Sequence, residues 1–137
     1  MTETFSPRLI VVAAALARED RRVLLQQRAP GRQMAGLWEF PGGKVEEGEG
    51  LEAALIRELE EELGIAVDPC DLQPAAFTSA DNSGRPMLLL LFLCRRWGGE
   101  PRALDAAALR WATPAEMAVL DMPPADVPLV EALADLL

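Results

Sequence analysis

At 137 residues, half of them apolar and about a quarter charged, the chain suits one compact domain over residues 1–137 with a core of its own. Its longest apolar runs, Leu9 to Ala17 and Met87 to Cys94, fall far short of the ~20 residues a membrane-spanning helix requires, and 22 acids against 13 bases, a net charge of −9, oppose binding to a nucleic-acid polymer. The absence of histidine removes the usual general base, the usual zinc ligand and every Ser/His or Cys/His nucleophile pair, so catalysis must rest on carboxylates, lysine and arginine.

The chain does not open on a basic start, an apolar stretch and a small-residue cleavage site, so a cytoplasmic location is expected. Leu9 to Ala17 and Val23 to Gln27 are rich in Val, Ile and Leu and flank the polar segment 18–22, a pattern that predicts a hairpin. Ala29 to Gly36 reads as a loop, Leu37 to Phe40 as a short strand, and Pro41-Gly42-Gly43 as a tight turn. Leu51 to Leu63 lacks Gly and Pro, is built of helix formers and meets a stop signal at Gly64, which predicts a helix.

Phe77 to Ala80 and Met87 to Cys94 read as strands around the turn residues Asp81-Asn82-Ser83-Gly84, and Leu109 to Ala112 as a last strand. Thr113-Pro114-Ala115-Glu116 has the form of a capping box with Pro at the first helical position. After Pro123-Pro124, a closing helix is expected over Ala125 to Leu137 with Val127, Val130, Leu133, Leu136 and Leu137 turned inward. Cys70 and Cys94 lack CxxC spacing and read as reduced, structural residues.

Eight glutamates and one arginine fall between Glu46 and Glu62. On a helix, Glu58, Glu61 and Glu62 stand at i, i+3 and i+4 and share an arc, while Leu51, Leu55, Leu59 and Leu63 form the adjoining one. Like charges at this spacing oppose the helix by ~0.2–0.5 kcal/mol per pair unless a cation neutralises them. Carboxylate oxygens are hard ligands that suit Mg²⁺ or Mn²⁺, although a glutamate run taken alone also suits a solvated helix face.

Gly43, Glu49, Arg57-Glu58-Leu59, Glu61-Glu62 and Gly64-Ile65 match the Nudix box G-x5-E-x7-R-E-U-x-E-E-x-G-U, where U is aliphatic, at all nine defined positions across 23 residues. The chain also resembles the MutT branch of the Nudix hydrolases through Gln27-Arg28, Trp38-Glu39-Phe40-Pro41-Gly42-Gly43, Arg95-Arg96-Trp97, Gly99-Glu100-Pro101 and Pro123-Pro124-Ala125. The resemblance implies an α/β/α sandwich with a mixed, partly curled sheet and a loop-helix-loop motif. It further implies metal ligands at Glu58, Glu61, Glu62 and the Gly42-Gly43 backbone, with a Glu49–Arg57 ion pair in support.

The reaction implied is attack of metal-activated water on a nucleoside triphosphate, giving monophosphate and pyrophosphate, with Mg²⁺ as cofactor and Mn²⁺ as substitute. Glu58, Glu61 and Asp105 are the catalytic candidates, Asp105 standing where the family often carries glutamate, with Glu100 as its fallback. Arg28 aligns with a phosphate contact and Arg85 with a basic residue near the nucleotide; Lys44 is a further candidate cation. Phe40 and Phe77 are candidates for the base pocket or for plain core.

Asp126 stands where close MutT relatives carry a base-reading asparagine, and it equally suits the N-cap of the last helix. Ionised aspartate only accepts hydrogen bonds, which suits N1–H and N2–H₂ of a guanine or N4–H₂ of cytosine but repels O6. The MutT resemblance implies 8-oxo-dGTP as the expected substrate, with CTP or dCTP as the alternative, handled as a small molecule by a monomer or homodimer. A non-catalytic nucleotide sensor of the same fold is the rival reading, and the intact box argues against it.

Overall fold

The structure, a computed structural model, describes residues 8–82 and 84–137. A four-stranded mixed sheet has the order β4-β1-β6-β5, formed by β1 (Leu9–Leu16), β4 (Gly42–Lys44), β5 (Leu72–Asn82) and β6 (Arg85–Cys94). A three-stranded antiparallel sheet has the order β3-β2-β7, formed by β2 (Val23–Gln27), β3 (Trp38–Glu39) and β7 (Ala108–Ala112). β1 and β6 run parallel, from Leu9 opposite Met87 to Leu16 opposite Cys94.

Those two central strands are apolar on both faces, as a strand covered on both sides must be. Ala13 and Ala15 of β1 and Leu89, Leu91 and Leu93 of β6 pack with Leu129, Val130 and Leu133 of α3 (Val127–Ala134). Val12, Ala14 and Leu16, with Phe92 and Cys94, pack against Ala54, Leu55, Leu59 and Leu63 of α1 (Leu51–Leu63). The acidic helix and the closing helix thus cover opposite faces, the layered α/β arrangement anticipated above. Among the described residues no helix is long and apolar enough to cross a membrane.

α1 has its predicted limits: Gly50 stands at the N-cap, and Gly64, at φ 71°, adopts the left-handed conformation and closes the helix through its N–H to the Glu60 carbonyl. The capping box is formed, Thr113 and Glu116 each accepting the other's backbone N–H, and opens the short α2 (Pro114–Met117).

Several expectations need correction. Among the described residues β1 and β2 are joined only by the bridge from Ala17, just past β1, to Val23, and they part into different sheets, because β4 and β6 already occupy both edges of β1. Gly42 and Gly43 are not a tight turn but strand β4, paired antiparallel with β1. Glycine is needed at Gly42 for close approach, since a Cβ there would overlap the Val12 carbonyl.

α3 is shorter than expected, and its inward face is Leu129, Val130 and Leu133, while Val127 and Leu136 are exposed. The helix begins only after Asp126, with Val127 as its exposed first residue, and Leu136 lies beyond its end. β5 begins earlier than expected, at Leu72, and Phe77 lies exposed on it. Cys94 is buried, but Cys70 is exposed and supports no core, and both are free thiols. Ser83, one of the predicted turn residues, lies outside the described residues, while the flanking Asn82 and Arg85 pair across the β5–β6 connection.

Candidate active site

The helical spacing of α1 brings Glu58, Glu61 and Glu62 to one wall of a cavity of about 730 Å³. β4 forms the adjacent wall, and the missing side chain of Gly43 matters there because a Cβ would overlap the Glu58 carboxyl group. Glu62 is drawn inward by two donors, the Gly42 N–H at 3.0 Å and the Gln26 side-chain amide at 3.3 Å. Burial, reinforced by the negative charge of Glu58, pushes the Glu62 carboxyl up to about 8. Burial also raises Glu58, against the opposing pull of Arg57.

Arg57 organises this wall from its outer side. Its Nε and Nη2 donate to the two Glu49 oxygens at 2.7 and 2.9 Å, the forked geometry that suits a guanidinium and a carboxylate. Its Nη1 donates to Glu58 at 2.9 Å and reaches Glu61 at 3.4 Å, and Nη2 reaches the Lys44 carbonyl at 3.3 Å. The hydrogen bonds from Arg57, with a further one from the Glu46 N–H, hold Glu49 down at about 2. The expected Glu49–Arg57 pair is therefore present, and it ties the loop before α1 to the carboxylate wall.

Arg28, Glu39, Phe40 and Asp126 line another part of the same cavity. Arg28 binds Glu39 through Nε and Nη2, both at 2.8 Å, and the Gln33 carbonyl at 3.0 Å. Burial raises the Glu39 pKa in spite of Arg28. Asp126 is buried and occupies the N-cap position of α3, but its side chain makes no capping hydrogen bond; Oδ2 instead accepts the Phe40 N–H at 3.4 Å. Burial and the charge of Glu39 push Asp126 up to about 7. Phe40 is itself core and cavity lining at once.

Asp105 and Lys44 also line the cavity, and Asp105 is held by Arg32 at 2.8 Å. Arg85, exposed at the start of β6, is not among the lining residues, nor are Glu100 and Phe77. Sequence reasoning missed Gln26, Glu39 and Arg32. Gln26 could have been found as an amide inside the apolar strand Val23–Gln27, where a buried polar side chain needs a partner. Glu39 and Arg32 carried no local signal, because their partners lie 11 and 73 residues away.

A hard divalent cation fits the chemistry of the α1 wall, which offers carboxylate oxygens, and the cavity lining contains no thiolate or imidazole. Gly43 leaves room for the Glu58 carboxyl, and Gln26 Oε1 is a buried acceptor with no hydrogen-bond partner among the described residues. Among the described residues no three carboxylates converge on one point. Like charges separate instead onto the available positive and N–H partners: Glu58 and Glu61 lean to Arg57, and Glu62 to Gly42 and Gln26. Glu61 is the most exposed of the three and the freest to turn toward a cation.

The chain is similar to known proteins over nearly its whole length. The family model described as the NUDIX domain matches residues 7–133. The CTP pyrophosphohydrolase of Escherichia coli (strain K12) is 40% identical over 125 residues, covering 91% of each chain. The 8-oxo-dGTP diphosphatase of the same organism is 32% identical over 127 residues, covering 92% of this chain and 96% of its own. The solution structure of the E. coli ORF135 protein superposes with a TM-score of 0.84 at 39% identity, covering 94% of this chain and 90% of that one. With the complete box, the layered fold and a match over nearly its whole length, the chain belongs to the Nudix family of hydrolases.

Proposed function

We propose that this protein is a Mg²⁺-dependent nucleoside triphosphate pyrophosphohydrolase that releases nucleoside monophosphate and pyrophosphate, with 8-oxo-dGTP as its leading substrate. The observation that carries the reading is one cavity lined both by the box glutamates Glu58, Glu61 and Glu62 and by the buried Asp126 beside Phe40. One group of residues suits a phosphate chain and its counter-ion; the other suits the edge of a base.

Mg²⁺ held by Glu58, Glu61 and Glu62, with a backbone carbonyl of Gly42 or Gly43, would supply neutralisation of the phosphate charge and a more acidic water. Arg57 holds Glu58 and Glu49 in place and acts through them. Glu58 and Asp105 are the carboxylates available to take the proton of the attacking water, Glu58 having its affinity for a proton raised by burial. Arg28 keeps a guanidinium beside the cavity while neutralising Glu39, so the buried carboxylate does not repel an arriving anion.

Asp126 bears on the base. At about 7 its carboxyl is neutral in mildly acid solution and then offers a donor for a carbonyl such as O6 and an acceptor for a ring N–H. Ionised, it only accepts, which favours the N4–H₂ of cytosine. A CTP or dCTP preference is the second reading, favoured by the 40% identical relative named for that activity.

The test is a panel of 8-oxo-dGTP, dGTP, dCTP, CTP and sugar nucleotides incubated with the protein and Mg²⁺, with products identified by mass spectrometry. A triphosphate giving monophosphate plus pyrophosphate supports the reading, and turnover of sugar nucleotides alone would sink it. Glu61→Gln should lower kcat by about two orders of magnitude or more with an unchanged circular dichroism spectrum. Wild-type turnover in that variant would remove Glu61 from the site.

A further inference from the structure

The cavity wall holds seven acids, Glu39, Glu58, Glu61, Glu62, Asp81, Asp105 and Asp126, against three bases, Arg28, Arg32 and Lys44. A polyphosphate chain is repelled by most of that wall, so the state of each cation matters. Arg28 is engaged by a largely buried carboxylate and a backbone carbonyl, and its departure would leave Glu39 buried without its hydrogen-bonded counter-charge. Arg32 is different: its ion pair is with Asp105, with a weaker electrostatic pull on Glu39, and both partners of the pair are about half exposed, at 60% and 48%.

Both segments of this pair are anchored by hydrogen bonds, and the difference lies in the side chains, Arg32 being the longer and the more exposed. Asp105 lies on a segment pinned by backbone hydrogen bonds from Leu104 N–H to the Glu62 carbonyl and from Ala107 N–H to the Gln27 carbonyl. Arg32 lies in the exposed stretch 30–36, whose backbone is tied through the Arg32 N–H to the Ala29 carbonyl, the Gly36 N–H to the Arg28 carbonyl and the Arg28 side chain to the Gln33 carbonyl, leaving the Arg32 side chain at the surface. Exposed ion pairs contribute little and exchange cheaply, while the planar guanidinium fork matches phosphate oxygens. The arginine is therefore the partner free to change hands.

Resting on the triphosphate reading above, we propose that Arg32 is a polyphosphate-positioning residue that exchanges Asp105 for the phosphate chain, and that this exchange releases the Asp105 carboxylate into the cavity. The ion pair is the resting clasp between two loops. Arrival of the polyanion opens it, bringing Arg32 onto phosphate in the same step that unmasks Asp105.

The clasp makes predictions of opposite sign for its two halves. Arg32→Ala should raise KM for the preferred triphosphate about tenfold with kcat within about twofold, and Arg32→Lys should recover part of the loss. Asp105→Ala removes the competitor for Arg32, so KM should stay level or fall while kcat drops. Two loops merely held together would give the same KM rise in both variants, and that result, or an unchanged KM in Arg32→Ala, overturns the proposal.

A binding measurement separates this proposal from the function it rests on. Calorimetric titration with inorganic tripolyphosphate in magnesium buffer should show Kd weakened about tenfold by Arg32→Ala and not weakened by Asp105→Ala. Equal affinity in the wild type and Arg32→Ala overturns the clasp even where turnover is normal. A wild type that hydrolyses no triphosphate, yet shows the Arg32-dependent affinity, removes the function and leaves the positioning role standing.

Discussion

Asp126 shows how one side chain can be diverted from a structural task. It sits at the N-cap of α3, but its carboxyl turns to the Phe40 N–H inside the cavity, where burial raises it to about 7. Because the folded state holds this proton more tightly than the unfolded chain, Asp126 reduces stability progressively as pH rises from about 4 to about 7, and no further above that. Asp126→Asn should remove up to about 4 kcal/mol of that loss at pH 8, measured by urea unfolding across pH, with little difference from wild type at pH 4. The same ionisation should alter the base preference: the ratio of kcat/KM for cytidine over 8-oxoguanine triphosphates should rise from pH 6 to pH 8.5 in the wild type. Asp126→Asn should hold that ratio constant, and a parallel slope in the variant would detach Asp126 from base recognition.

Arg57 and Gly43 belong to the scale of the loop-helix-loop element, because each matters through what it does to α1. Arg57 links Glu49 and the Lys44 carbonyl to Glu58 and Glu61. Arg57→Ala should raise the Mg²⁺ concentration for half-maximal activity by about 10–100-fold, the usual cost of losing a group that orients ligands. Arg57→Lys should recover little, since an ammonium cannot reproduce the fork to Glu49. Gly43→Ala places a methyl group where the Glu58 carboxyl now lies and should lower turnover at least about tenfold, the scale on which a displaced catalytic group is felt. Gly50→Ala, whose Cβ would meet open space on an extended backbone at φ −73°, serves as the control and should retain near wild-type kinetics at a small cost in helix capping.

For the whole molecule, the net charge of −9 is concentrated in part along α1 and the loop before it, against the stability of the fold. A ligand that binds the native arrangement alone must therefore stabilise it. Mg²⁺ at 100 times its Kd should add about 2.7 kcal/mol and raise Tm by several degrees in differential scanning calorimetry, with chelation reversing the shift. Glu61→Gln should blunt the rise; an equal rise in that variant would put the cation elsewhere.

The acidic helix, its ending at Gly64, the Thr113–Glu116 capping box, the central strands and the box carboxylates were all legible along the chain. Each depends on contacts within a few residues or on a strict spacing, and the physics of a helix turn or a strand acts over that range. What lay beyond local reading was the partnering of distant segments. β1 and β2 look like a hairpin until β4 and β6, up to 78 residues further on in register, fill both edges of β1. Gly42-Gly43 looks like a turn until the approach of Val12 to Gly42 and of Glu58 to Gly43 explains why the strand lacks side chains at those two positions. Which way Asp126 points, what neutralises Arg28, and that Arg32 holds Asp105 across 73 residues are outcomes of packing and burial, which no stretch of sequence contains by itself.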